Sequence, residues 1–433
     1  MAITSSRLFG GGRLYYGWYI VLTYAVMQLY GAGVFYYGIS AFFTPILVEF
    51  GWTRAATSFA ISLYQLSGAF LAPAIGLIFD RVGPRKLIVV GVGALGVGFL
   101  LLSQVSDYVA FCVAILVIGF GFTTGFANVA MATVANWFIR RRALALGLLM
   151  IGSGLGGTVV PILVALIGSL GWRGAAMWIG VAAWALLLPL GLVIRHRPEQ
   201  CGLRPDGDPA PAPNEARPDS ADRAQPPEAS FTIAQALRTK AFWLCALSFS
   251  LGMATQYAIV VHTIPYLIFI GQSETVAGLA VAWLTTSSLV GRLIVGWLAD
   301  RVQKRHLLAA LFALQAAGTI VFATMTEPWQ IAVFLLLYAP AYGGIIPLRP
   351  ATLADYFGRR SFGAVQGAIS GFTSLAAVAG PVFAGWTFDL TESYRTAYVV
   401  LGLLTAAALP AILALRKPGE RAATAERSSG DRS

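Results

Sequence analysis

Twelve apolar stretches follow one another along this chain, and no other feature restricts its fold as much. They run approximately over 17–43, 55–79, 87–105, 109–136, 143–168, 174–194, 241–269, 275–298, 306–325, 328–355, 361–388 and 394–415. A helix of about 20 apolar residues matches the hydrocarbon thickness of a bilayer. In lipid every backbone N–H and C=O must be satisfied within the protein, which for isolated runs of this length means helix. Only 11% of the residues are charged, against roughly 25% in soluble domains. The expected fold class is an all-α membrane protein with twelve transmembrane helices.

The runs form two sets of six. Gly76, Asp80 and Arg81 are followed by Arg85 and Lys86, and 220 positions later Gly296, Asp300 and Arg301 are followed by Lys304 and Arg305. A further matching pair, Gly51 and Gly271, precedes them. Trp137-Phe138 with Arg140-Arg141 corresponds to Tyr356-Phe357 with Arg359-Arg360 at offset 219. A membrane hairpin repeated at fixed offset reads as two fused halves, the plan of many secondary transporters. Two pseudo-symmetric six-helix bundles are expected, over 1–194 and 241–416, with a linker over 195–240 and a disordered tail over 417–433. Residues 198–230 are rich in Pro, Asp, Ala and Arg and lack the apolar surface needed to fold. Residues 231–240 are expected to form a short amphipathic helix.

The net charge of +11 invites a nucleic-acid reading, but its distribution excludes one. Of the 30 Lys and Arg residues, 25 fall on the side of the termini, three (Arg54, Arg173 and Arg395) in the opposite loops and two inside spans. This is the positive-inside bias, and it predicts cytoplasmic termini on a multi-pass protein of the inner membrane. The first apolar run is too long for a signal-peptide core and is expected to remain as a span. Cys112, Cys201 and Cys245 form neither a metal spacing nor a disulfide framework. No nucleophile–base cluster or cofactor motif is present, so no metal, no cofactor and no enzymatic activity are expected.

Two six-span halves, the linker and the turn G-x-x-x-D-R-x-G-x-R/K together resemble the major facilitator superfamily. The first copy matches closely; in the second, Val302 stands for Gly83 and Gln303 for Pro84. As a gate, Gly76 and Gly296 would let helices approach closely. Asp80 and Asp300 would accept bonds from a neighbouring helix N-terminus, and Arg81, Arg85, Arg301 and Arg305 would sit at the cytoplasmic lipid surface. Other stretches resemble the monocarboxylate porter and oxalate:formate antiporter branch. They are Tyr15-Tyr16-Gly17-Trp18, Phe50-Gly51-Trp52-Thr53-Arg54, Asn136-Trp137-Phe138, the Gly-rich run from Gly152 to Gly157, and Gly171-Trp172-Arg173.

Ionisable groups deep in a span are costly and mark function. Three qualify: His262, Arg292 and Arg349. The repeat mates of the two arginines are Ala72 and Ala130, so the fold itself does not require Arg at either position. Arg292 shares a helix face with Thr285 and Ser288, and its guanidinium suits bidentate capture of a carboxylate. An Arg in span 8 serves this purpose in both resembled families. Arg349 shares a face with Tyr338 and Tyr342, and competes between a ligand role and pairing near the surface. His262 shares a face with Thr255 and Tyr266 and suits a proton carrier or a packing residue. Tyr30 (with Gly33 and Tyr37), Asn128 and Gln366 are further polar candidates for the substrate site.

The chain departs from both resembled patterns. Ser288 stands where animal monocarboxylate porters place an Asp, and span 11 holds no Lys near Phe372 and Thr373, where oxalate antiporters have one. Proton coupling would then fall to His262, to the substrate's own proton, or to Glu49 or Asp355 at the membrane edge. The expected function is secondary active transport of a small organic anion, a mono- or dicarboxylate. It would work by alternating access, as proton symport or anion exchange, in a monomer. The alternative, efflux of a lipophilic solute, suits a cation poorly because two buried arginines would repel it.

Overall fold

The computed structural model describes residues 15–207, 233–299, 301–357 and 362–415. Among these the chain makes twelve helical passes. They are α1 (Tyr16–Phe50), α2 (Arg54–Val82), α3 (Pro84–Ser103), α4 (Tyr108–Trp137), α5 (142–170), α6 (172–193), α7 (Lys240–Phe269), α8 (Glu274–Ala299), α9 (Lys304–Ala323), α10 (Trp329–Phe357), α11 (Phe362–Thr391) and α12 (Arg395–Leu413). Each overlaps one expected run. Ten helical stretches are long and apolar enough to cross a membrane. One of them, Leu144–Val193, is broken at Gly171 (φ 69°, ψ 164°) into α5 and α6. The 29-residue α2 is the remaining pass.

The described residues fall into two compact units. The first combines those of 1–216 with Val260–Thr286, and the second those of 217–259 with 287–433. Within each unit the repeat is written in where helices touch. In the first, a Cβ on Gly98 would meet Ile118 and one on Gly119 would meet Tyr64 Cβ at 2.6 Å; in the second, Gly318 would meet Tyr338 and Gly343 the Ser288 carbonyl. Gly180 seats against the Gly96 carbonyl, as Gly402 does against Ile320 and Ala316. Gly152 lies on the backbone of Ala25, and Gly380 on that of Ala254 in the same manner. Small residues at these crossings let backbones approach where lipid offers no hydrophobic drive for packing.

The turns repeat too. Gly51 and Gly271 both end a helix in the left-handed region, at φ 65° and 85°, where a Cβ is disfavoured. Two residues on, the Thr53 hydroxyl accepts from Ala56 N (3.1 Å) and the Ser273 hydroxyl from Val276 N (3.3 Å), each capping the next helix. The third pair breaks the symmetry for a reason. Gly83 (φ 79°) is the sole link between α2 and α3, and Pro84 opens α3. The α8–α9 connection is longer, and Val302 is not left-handed, so no Gly is needed there.

Two structural expectations are corrected. Within its unit a side chain at Gly296 would meet nothing within 4 Å, so this glycine does not serve a close helix approach. Residues 198–207 are folded: two short 3-10 turns, Pro198–Cys201 and Pro205–Gly207, follow α6. They gain by hydrogen bonds what they lack in apolar surface. Residues 208–232 of the linker, Asp300, Arg359, Arg360 and the tail from 416 lie outside the described residues. A five-residue helix, Ile233–Leu237, precedes α7.

The glycine contacts carry a test. Gly152→Ala and Gly380→Ala force a Cβ into a neighbouring backbone and are expected to destabilise by about 1–3 kcal/mol. Their controls on the same helices, Gly147→Ala and Gly367→Ala, meet nothing within 4 Å and should be neutral or slightly stabilising. Thermal unfolding in detergent compares the four.

Candidate functional site

In the second unit, α10 carries Pro340, Pro347 and Pro350 within its length. Each removes a backbone donor and loosens the helix. Arg349 projects from this segment toward α11. Its Nη2 donates to Ser370 Oγ (3.2 Å) and Thr373 Oγ1 (3.3 Å), and its guanidinium carbon lies 5.6 Å from the centre of the Phe249 ring on α7. Its Nε is buried without a hydrogen-bond partner among the described residues. The acid six positions along, Asp355, is bound by Lys304 Nζ at 2.5 Å. Among the described residues no acid pairs with Arg349.

Arg292 lies on α8, one turn beyond the fully buried Ser288 and two beyond the fully buried Thr285. Backbones of α8 and α10 meet beside it: Gly343 rests on the Ser288 carbonyl and Gly291 on Pro340. The sequence reading paired Arg349 with the α10 aromatics. Tyr338 and Tyr342 are buried, and the hydroxyls that touch the guanidinium come from α11. The signal was present in the sequence: Gln366, Ser370 and Thr373 stand at i, i+4 and i+7, on one face of the helix. Gln366 is half-buried, with its Oε1 enclosed and unbonded.

His262 belongs to the first unit. It is fully buried, with Phe43 edge-on at 4.9 Å and Nε2 3.0 Å from Ser58 Oγ. Ser58 Oγ also lies 2.7 Å from the Arg54 carbonyl. Which of Ser58 and His262 donates in their bond depends on the tautomer of the ring. Beside it, Ser40 Oγ donates to the Val261 carbonyl (2.8 Å). Tyr266 is buried on the same helix. Thr255 lies in the second unit and contacts Thr405 Oγ1 at 2.8 Å.

Other candidates separate from these groups. The Tyr30 hydroxyl donates to the Ile179 carbonyl at 2.5 Å, a bond between α1 and α6, and Asn128 is exposed on α4. The six residues Ala32–Tyr37, which include Gly33 and Tyr37, form a π-helical turn in α1. A Cβ on Gly33 would meet Val159 at 2.6 Å, so this face packs. Glu49 is held by Trp172 Nε1 (2.6 Å) and Arg173 Nη2 (2.5 Å). Of the gate residues, Gly76 and Asp80 lie in the last two turns of α2, and Arg81 and Arg85 are exposed. Arg301 folds over the Trp297 ring at 3.9 Å, and Arg305 Nε donates to Gln303.

A functional group the sequence reading missed is Asp206. Its Oδ2 accepts from the backbone N–H groups of Ile139 (2.9 Å) and Arg140 (2.8 Å), and Oδ1 from that of Arg141 (3.2 Å). Burial pushes its carboxyl upward, but these three donors and the Arg140 charge outweigh it and hold it below the usual range. Tyr15 OH donates to the Arg204 carbonyl (2.9 Å) and Trp137 Nε1 to that of Arg195 (3.0 Å). Residues after α6 thus bind the α4–α5 turn. Asp206→Asn, which tolerates the same φ of 60°, should cost about 1 kcal/mol in thermal unfolding at neutral pH. A depressed native pKa contributes stability above the unfolded value, about 3.9, and loses it as pH falls. The difference from wild type should therefore shrink below about pH 4.

Comparison with known proteins places this architecture. The family model of the Major Facilitator Superfamily matches residues 26–273 and 263–433. Monocarboxylate transporter 12-B of Danio rerio is 26% identical over 385 residues, 84% of this chain and 80% of that protein. Monocarboxylate transporter 11 of Homo sapiens is 28% identical, over 83% and 75% of the two chains. The Agnestins efflux protein AgnL12 of Paecilomyces divaricatus is 28% identical, over 70% and 65%. Among solved structures, the nucleoside transporter NupG superposes with a TM-score of 0.71 at 12% identity, covering 92% of this chain and 99% of its own. A bacterial homologue of the human lysosomal transporter Spinster, inward-facing and unoccupied, gives 0.68 at 17% identity, covering 93% and 96%.

Proposed function

Because the chain belongs to the major facilitator superfamily and is a membrane transporter rather than an enzyme, we propose that it moves a small organic anion by alternating access. The observation that carries this reading is the charge of the α8 and α10 interiors. Each holds an arginine, while the acids of these helices, Glu274 and Asp355, sit at or near helix ends and Asp355 is taken by Lys304. A guanidinium in an apolar span favours an anionic solute. The curated relatives named monocarboxylate transporters agree with a carboxylate.

In this reading Arg292 is the carboxylate anchor, with Ser288 beside it, and Arg349 lies further along the path. His262 and Tyr266 act at the opposite side of the membrane from the termini, which are cytoplasmic. Gly76, Asp80, Arg81 and Arg85, with Arg301 and Arg305, act at the cytoplasmic gate. The relative named an efflux protein favours a second reading, export of a metabolite from the cell, and that metabolite would still be an anion. The test is counterflow in proteoliposomes loaded with labelled carboxylates, beside a panel of lipophilic cations. Exchange of a carboxylate supports the proposal; transport of cations alone refutes it.

A further inference from the structure

We propose that residues 195–207 are a strap that ties the α2–α3 turn to the α4–α5 turn, and that His196 and Asp206 are the positioning residues through which the two turns move together in the transport cycle. The proposal stands on the first unit alone and does not depend on which solute is carried.

Composition gives this segment little reason to fold. It is polar, with Arg195, Arg197 and Arg204 and two prolines among its residues. Its order comes partly from within. Gly202 turns through the left-handed region (φ 68°). Its N–H donates to the Glu199 carbonyl (3.0 Å), and that of Leu203 to the Pro198 carbonyl (3.0 Å). Pro198 is buried. Gln200 Oε1 accepts from His196 N (3.1 Å), so the strap's own fold fixes the backbone from which the His196 ring projects.

Three separate parts of the bundle receive it. At the start of α1, Tyr16 OH donates to the Val193 carbonyl (2.5 Å) and Tyr15 OH to that of Arg204 (2.9 Å). At the end of α2, the His196 ring meets Phe79 edge-on with centroids 5.0 Å apart. The same ring lies beside Gly83, where a Cβ would come within 3.4 Å of Nδ1. At the end of α4, Trp137 Nε1 donates to the Arg195 carbonyl (3.0 Å), and Asp206 accepts from the N–H groups of Ile139, Arg140 and Arg141. Neighbouring residues 195 and 196 therefore touch two different hairpins, and Asp206 returns to the second.

That placement is what makes the segment more than a tether. Alternating access is largely a rigid-body movement of one bundle against the other. The turns lie where the hairpins leave the apolar layer, and a cross-tie there makes displacement of one turn load the other. The Asp206 end is the strong one, because hydrogen bonds to an ionised acceptor are roughly twice as strong as neutral ones. The second unit repeats one of these contacts: Tyr356 OH donates to the Leu415 carbonyl (3.4 Å), as Trp137 does to that of Arg195. Its α8–α9 turn is exposed at Arg301, Val302 and Gln303, whereas Gly83 is half-buried beside His196.

The test is hydrogen–deuterium exchange of the purified full-length chain in detergent, read by mass spectrometry with no solute added. Windows 79–88 and 137–145 report the two turns, and α12 is the control. Asp206→Gly removes the carboxylate without backbone strain, since Gly accepts a φ of 60°. It should raise exchange about threefold or more at 137–145 and, through the strap, at 79–88, with α12 unchanged. His196→Ala should do the same from the other end, raising exchange at 137–145 as well as at 79–88. His196→Phe, which keeps a ring against Phe79, should leave both windows protected. The double variant should exceed the larger single effect by less than about twofold, because one break releases the strap. Asp206→Asn keeps one acceptor oxygen and takes the place of the glycine variant if that one loosens α12. Exchange that rises only at the turn each substitution faces overturns the proposal. So does unchanged exchange at both turns, or a double variant in which the two effects multiply.

Discussion

Arg292→Ala is expected to abolish carboxylate counterflow in proteoliposomes while the protein accumulates and unfolds as wild type does. The residue is half-buried on α8. Its repeat mate is Ala72, so an alanine at this register is compatible with the helix. What the substitution removes is a charge-assisted, bidentate contact, which contributes about 1.5–3 kcal/mol or more when screened from water. That corresponds to roughly 10- to 100-fold in affinity. Arg292→Lys is the sharper probe. It keeps the charge and replaces the planar fork with a point donor, so apparent affinity should fall strongly with transport retained at high substrate concentration. Wild-type uptake by Arg292→Ala would refute the anchor. Equal loss in Lys and Ala variants would show that the fork, and not the charge, is what the substrate reads.

Much of the fold was legible because a bilayer leaves few choices. Apolar runs of spanning length had to be helices, and Gly51 and Gly271 stood out as a matching pair, which the structure shows to be equivalent left-handed turns. The aromatic and glycine motifs were visible as motifs, but not as partners. Tyr15 and Trp18 pack on Phe138, and Phe50 stacks on Trp52 near Trp172. The contacts with Phe138 and Trp172 join segments far apart in sequence. The partners of Arg349 were hidden for the same reason. Arg349 was recognisable from its depth, whereas Ser370 and Thr373 look like ordinary small polar residues of a packed helix until α11 is set beside α10. Asp206 was hidden by its composition. A Pro- and Asp-rich stretch reads as unfolded when only apolar burial is counted, and three backbone donors at one carboxylate offset that deficit locally.

The edge acids are occupied, and this sharpens the expectation for proton coupling. Glu49 is committed to Trp172 and Arg173, and Asp355 to Lys304. His262 is the deep side chain whose ordinary pKa, about 6.5, lies near physiological pH. A second proton on the ring makes it cationic. That places a charge in a fully buried site walled by Phe43 and works against the packing of α7 on α1 and α2. If this step couples transport, His262→Gln should flatten the pH dependence of net uptake. The glutamine N–H can still reach Ser58, so packing and the unfolding temperature should hold. Exchange of substrate for substrate at equal pH should survive, since it needs no net proton movement. His262→Ala loses the Ser58 bond as well and should lower the unfolding temperature. A glutamine variant with a wild-type pH profile would make His262 a packing residue. Coupling would then rest with the substrate's own proton or give way to exchange, and the Ser288 that replaces the usual acid already points in that direction.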